Sequence, residues 1–184
     1  MSNLTRFRTQ ILIKEAFMDL LKEKPFSSIT INHICDMAMI HRSTFYRYYD
    51  DKYELFLDTT NSIAIDLFKQ TMQGFDMERT IFEEVIEYVD ENREQVLNIT
   101  IKNNSYELYD KLIQLGSEIL LENSGKNNDL LSQQIRNSKY PKVLCDFYIS
   151  GFIEIVKKWI SDEYPYSKEE LLHIVKSIQI NEPF

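Results

Sequence analysis

Apolar residues recur at three- and four-residue intervals along almost the whole chain, the spacing of helices that each bury one face. In the first segment Phe7, Ile11, Leu12, Ala16, Phe17, Leu20 and Leu21 form such a stripe. It predicts a helix that Ser2 or Thr5 caps and that runs to about Lys24. Pro25 ends it, because the residue before a proline is pushed out of the helical region. Thr30 is suited to cap a second helix, Ile31 to about Met37, with Ile31, Ile34 and Cys35 facing inward. After a short turn a third helix, roughly Arg42 to Tyr48, is anchored by Phe45. Asp50 and Asp51 cap a long fourth helix, about Lys52 to Met72, whose inward stripe includes Leu55, Phe56, Ile63 and Leu67.

Beyond Gly74 the pattern predicts helices at about Met77–Glu91, Val96–Lys102, Tyr106–Leu121 and Leu130–Asn137. The polar run NSGKNND (123–129) reads as a loop. Pro141 suits a helix first turn and opens a helix to about Trp159 or Ile160. Ser167 caps the last helix, with Glu169 and Glu170 where negative charge favours the helix dipole. The fold class is therefore all-α. A three-helix head (residues 1–52) joins through the long fourth helix to a helical body (residues 53–184).

Composition narrows the picture. Only four glycines and four prolines occur in 184 residues, too few for sheets with frequent tight turns. No apolar run is long enough to span a membrane, and MSNLTRFRTQ lacks the apolar stretch of a secretory signal. Cys35 and Cys145 read as buried thiols rather than a disulfide, which fits a cytoplasmic protein. The net charge of −8 is unevenly divided: residues 1–52 carry +2 and the remainder −10. An acidic body behind a mildly basic head would turn the head toward a polyanion.

The third helix carries the candidate chemistry. Arg42, Ser43 and Tyr46, with His41 at its start, can hydrogen-bond base edges or phosphates. Two short helices joined by a tight turn form the helix-turn-helix geometry that places the second helix in a DNA major groove. The plain alternative is a solvated polar face. Phe45 and Tyr49 read as core rather than contact.

Ile29-Thr30-Ile31-Asn32-His33-Ile34-Cys35-Asp36-Met37-Ala38, followed by Thr44-Phe45-Tyr46-Arg47-Tyr48-Tyr49 and closed by Lys52 and Leu55, resembles the DNA-binding domain of the tetracycline-repressor (TetR) family. The resemblance covers about the first 55 residues. It implies a cytoplasmic bacterial transcription regulator, a repressor that binds palindromic double-stranded operator DNA as a homodimer. It further implies release by a small-molecule inducer and no cofactor. By the same resemblance Thr44, Tyr48 and Lys52 are backbone clamps, and Thr30 is either a cap alone or a cap that also meets a phosphate. Two positions depart from the pattern. Met39 stands where many members carry Gly, so the turn is expected to use ordinary dihedrals, and Ser43 replaces a residue that is often Gly.

In the body, the aromatic Phe82, Tyr88, Tyr106 and Tyr109 are candidate pocket residues, the three tyrosines foremost, since a buried hydroxyl needs a partner that a ligand can supply. FYISGFIEIVKKWI (147–160) is similar to the penultimate helix of small family members. Phe147, Tyr148, Gly151, Phe152 and Ile155, with Leu171, Leu172 and Val175, are the candidate dimer interface. Gly151 suggests close helix approach, and burial within one protomer is the alternative. Enzyme readings are weak. Glu170 and His173 have a di-metal spacing but only one copy, Cys35 and His33 lie on different faces, and no glycine-rich phosphate loop is present. The rival reading is a body that recognises a partner protein; a crowded core would favour it, and an apolar cavity would favour a small-molecule sensor.

Overall fold

The computed structural model describes residues 3–73, 80–100, 106–127 and 129–180. Within them ten α-helices follow one another: α1 (Asn3–Glu23), α2 (Ile31–Met37), α3 (Arg42–Phe45), α4 (Lys52–Gln73), α5 (Ile81–Glu91), α6 (Arg93–Thr100), α7 (Tyr106–Ser124), α8 (Leu130–Asn137), α9 (Pro141–Ile160) and α10 (Lys168–Ile180). No strand occurs among the described residues.

The head is organised around Phe26, which sits in a short 3-10 turn (Phe26–Ser28) after Pro25 and is 1% exposed. Its ring meets Phe17, Tyr53 and Phe56 edge-on, with centroids 6.0, 5.1 and 5.6 Å away. Thr30 caps α2 as expected: its hydroxyl accepts from His33 N, and His33 Nδ1 accepts from Thr30 N. Asp51 caps α4 by accepting from the backbone of Tyr53 and Glu54, while Glu54 accepts from Asp50 N. Phe45 and Tyr49 are buried, so both are core.

Several expectations change. Phe7, Ile11 and Leu12 are 62%, 38% and 49% exposed, because α1 packs on α2 and α6 only through its later turns, where Ile13, Phe17, Leu20 and Leu21 are buried. Helix α3 keeps only four α-helical residues; the chain tightens into turns through Tyr49, as Arg47 N→Thr44 O and Tyr48 N→Phe45 O show. Helix α6 starts at Arg93 rather than Val96. The predicted start at Met77 and the predicted end at Lys102 lie outside the described residues.

The turn between α2 and α3 also corrects an expectation. Met39 has φ 52°, a left-handed conformation. Ile40 N donates to Cys35 O (2.9 Å) and Met39 N to Asp36 O (3.2 Å). These two bonds are the Schellman closure of a helix, which needs a left-handed residue after the C-cap. Helix-end hydrogen bonding therefore overrides the side-chain preference, and Met occupies a position suited to Gly.

The body wraps α5–α10 around a second core. Ile86, Ile135, Cys145, Ile160 and Leu171 are at most 1% exposed. Helices α7 and α9 approach closely at Gly116, where an added Cβ would lie 3.0 Å from Ile149. Ser167 caps α10, accepting from Glu170 N and donating its own N–H to the Glu170 carboxylate. Head and body are stitched together by α6: Asn98 Nδ2 donates to Leu21 O (2.8 Å) and Gln95 Nε2 to Met18 O (3.4 Å). Leu21 O belongs to the last turn of α1, whose carbonyls lack helical partners.

Candidate DNA-binding face and body cavity

Four of the predicted contact residues project from α3 and the residues that flank it. His41, Arg42, Ser43 and Tyr46 are exposed, while Phe45 on the opposite side is fully buried. Such a helix is pinned by its anchor and presents its polar face outward. Arg42 Nη2 donates to Tyr46 Oη (3.0 Å), and the guanidinium lies 5.7 Å from the Tyr46 ring centroid. The pair is thereby held out from the surface as one unit. Thr44 is half-buried and accepts from Arg47 Nη2 (3.1 Å). Tyr48 is half-buried against the head core. Thr30 is exposed, and its oxygen serves the α2 cap.

Lys52 differs from expectation. Its ammonium donates to the carbonyls of Phe26 (2.8 Å), Ser27 (3.3 Å) and Ile29 (2.8 Å) and lies 4.5 Å from the Phe26 ring centroid. An ammonium has three protons, and these bonds use all of them. Burial pulls its pKa below the ordinary lysine value. In the free protein Lys52 holds the 3-10 turn to α4, a role with no sequence signal, since its three partners are backbone atoms more than twenty residues away.

A second tie joins the recognition region to α4. Tyr49 Oη donates to Asp58 Oδ2 (2.7 Å), and Lys14 Nζ pairs with the same carboxylate at 2.8 Å. Burial, then the hydrogen bond to Asp58, pushes the Tyr49 phenol well above its usual range.

Where α1 meets the body, α1, α4, α5, α6 and α7 line a partly open apolar cavity of about 200 Å³. Its walls include Phe17 and Leu21 of α1, Phe56 and Leu67 of α4, Val89 of α5, Ile99 of α6 and Leu112 of α7. Of the predicted pocket residues Tyr88 lines it. Phe82 lies elsewhere, its ring tilted against Phe152 with centroids 4.4 Å apart, in a groove at the other side of α5. Tyr109 is not in the wall; Lys157 lies 5.3 Å from its ring centroid. Its hydroxyl is buried without a well-formed hydrogen bond: the neighbouring Thr100 hydroxyl donates to Val96 O at 2.6 Å. The Tyr106 side chain lies outside the described residues. The α1 wall residues had the ordinary spacing of core positions, so nothing in the sequence marked them.

On the far face of the body, Phe147, Tyr148, Gly151, Phe152, Ile155 and Val175 come together with Phe82 and Ile178 around an apolar groove of about 190 Å³. Phe147 is 71% exposed, and Gly151 is exposed, so that a Cβ added there would meet no atom within 4 Å. Leu172 is half-buried. Leu171 is 1% exposed inside the protomer, and Phe152 and Val175 are also buried there. The interior of the body therefore claims these three, and only part of the predicted interface is left on the surface.

No cluster of metal-ligating side chains occurs among the described residues, and the Glu170 carboxylate is engaged in the α10 cap. No helix among them is long and apolar enough to cross a membrane.

A buried-anchor helix pair with an exposed polar recognition face, carried on an all-helical body, defines a helix-turn-helix DNA-binding transcription regulator. Residues 13–59 match the family described as "Bacterial regulatory proteins, tetR family", and residues 78–181 match "Transcriptional regulator C-terminal region". The chain belongs to the TetR family. A curated relative, the uncharacterized HTH-type transcriptional regulator YxbF of Bacillus subtilis (strain 168), is 32% identical over 63 residues. That stretch is 34% of this chain and 17% of the relative's length. Among solved structures, the dihydroxyacetone kinase operon activator DhaS superposes with a TM-score of 0.58 over 94% of both chains at 20% identity, a likeness of fold. Members of the family regulate transcription and are typically not enzymes.

Proposed function

We propose that this regulator is a cytoplasmic repressor that binds a palindromic operator as a homodimer and is released by a small molecule. The observation that carries the DNA reading is the α3 face: Arg42, Ser43 and Tyr46 exposed over a fully buried Phe45. Arg42 would pair with guanine, and Ser43 and Tyr46 would meet base edges or phosphates. Thr44 and Tyr48, at the margin of that face, would fix the register on the backbone, with His41 at its start. A phosphate contact by Thr30 would draw on the proton of the capping hydroxyl. A phosphate contact by Lys52 would compete with its three carbonyl bonds, so the helix N-terminus of α4 is the better anion site there.

Two heads would enter successive major grooves about 34–36 Å apart. The exposed apolar groove around Phe147 and Gly151 supports pairing through α9 and α10 of two protomers. The α1–α7 cavity supports a small-molecule sensor over a protein-binding body, because its wall includes both head and body residues. A ligand preferring the head position that misfits DNA would lower operator affinity, and only by its differential affinity for the two states.

The test is a fluorescence-anisotropy titration against genomic fragments at two salt concentrations, beside an Arg42→Ala/Tyr48→Phe double variant. Specific, salt-sensitive binding that the variant weakens by about one to two orders of magnitude is expected. Weak, sequence-indifferent binding that the variant leaves unchanged would refute the reading.

A further inference from the structure

We infer that the cavity between α1 and α4–α7 takes an uncharged, largely hydrocarbon molecule, of the size of a substituted single aromatic ring, anchored by one hydrogen bond to Tyr88. The inference deepens the proposed effector reading and rests on it for biological meaning.

Among the described residues that line the cavity, none carries a charge. Its polar groups are mostly committed to backbone: Thr59 Oγ1 donates to Leu55 O (2.7 Å), Thr100 Oγ1 to Val96 O (2.6 Å) and Gln95 Nε2 to Met18 O (3.4 Å). A buried ionised group would find no counter-charge there, and burying it without one is prohibitively unfavourable. A dry apolar cavity of roughly 150 Å³ takes benzene, so about 200 Å³ admits a ring with a short substituent.

The route in is visible. Met18, Thr59, Ile63 and Tyr88 line both the cavity and an open groove between α1 and α4. The cations of that groove are already paired, Lys14 with Asp58 at 2.8 Å and Lys22 with Asp19 at 2.7 Å. With Glu15, Asp19 and Asp66 against Lys14 and Lys22, the described residues lining the groove are acidic on balance, so an amphiphilic anion is disfavoured both inside and at the mouth. Tyr88, standing at the junction, makes no side-chain hydrogen bond among the described residues and is the natural polar anchor. Donating to a ligand oxygen or accepting from a ligand hydroxyl would satisfy it.

Calorimetric titration and melting of the full chain with four matched probes test this: 4-ethylphenol, ethylbenzene, the 4-ethylbenzoate anion and 4-ethylbenzylammonium. The neutral probes are expected to bind one per protomer, at least about 30-fold tighter than either ion. Tyr88→Phe should weaken 4-ethylphenol by about five-fold and leave ethylbenzene unchanged. Ala64→Phe, which fills the cavity, should abolish binding of both; if that variant no longer melts cooperatively, the Tyr88→Phe comparison decides alone. Equal or tighter binding of an ion, binding that survives a folded Ala64→Phe, or no binding by either neutral probe overturns the inference. Operator titration with and without 4-ethylphenol is read separately. Binding of the probe without change in operator affinity would sink the effector reading while leaving the ligand class standing.

Discussion

Replacing Met39 by Gly should stabilise this protein, although it removes a side chain and touches no contact. Met39 is held at φ 52° by the two backbone bonds that close α2. For an L-residue a left-handed conformation costs roughly 1–2 kcal/mol. Glycine removes that cost but has more freedom to lose on folding, which returns roughly 0.5–1 kcal/mol. The Met39 side chain is 91% exposed, so its loss forfeits almost no burial. The net gain is centred on about 0.75 kcal/mol within a span of roughly 0–1.5 kcal/mol, and the central value is worth roughly 1.5–3 °C in melting temperature for a chain of this size. Urea unfolding at one fixed protomer concentration measures it, because self-association would otherwise shift the midpoint. The denaturant slope should stay constant. Met39→Ala is the control: it keeps the Cβ and the strain, and should lie within about 0.5 kcal/mol of the parent. A destabilised Met39→Gly, or an alanine variant that gains as much as the glycine one, would refute the assignment of strain to the backbone.

Lys52→Met keeps the aliphatic stem over Phe26 but deletes three hydrogen bonds to carbonyls; unfolding midpoints should show a loss of about 1–2 kcal/mol, and an unchanged midpoint would return Lys52 to a purely DNA-facing role. At the exposed Gly151 an added Cβ would meet no atom within 4 Å, so a Gly151→Arg side chain can leave the helix toward solvent; melting of the single chain should be preserved while sedimentation shows the monomer, and a dimer of parental affinity would place the interface elsewhere. Stability should also fall at alkaline pH. Burial raises the folded-state pKa of Tyr49, Tyr88, Tyr109 and Tyr148 above the unfolded value of about 10. Below that value both states are protonated and stability is full. Above it the unfolded chain ionises first, so stability is lost as pH rises toward the folded values; urea midpoints across that range, with phenolate absorbance followed in parallel, would contradict this if they stayed flat.

What could be read from the chain alone was what depends on local order. The three- and four-residue spacing of apolar positions, Pro25, and the caps at Thr30, Asp51 and Ser167 placed helix ends to within a few residues, because capping and propensity act between near neighbours. The family motif likewise lies in one short stretch, so the exposed polar face of α3 was legible before any fold was known. Tertiary structure decided the rest. Phe7 and Ile11 continue the stripe of α1, yet only packing against α6 determines where that stripe stops being covered. Phe82 and Tyr88 are alike on paper, but they sit on opposite sides of α5 and face different concavities. Lys52 is drawn to carbonyls that the 3-10 turn alone brings within reach, and Met39 accepts a conformation set by the closure of α2. A side chain's periodicity says that it faces inward; which neighbours wait there depends on residues distant in sequence, and these meet only when the helices pack.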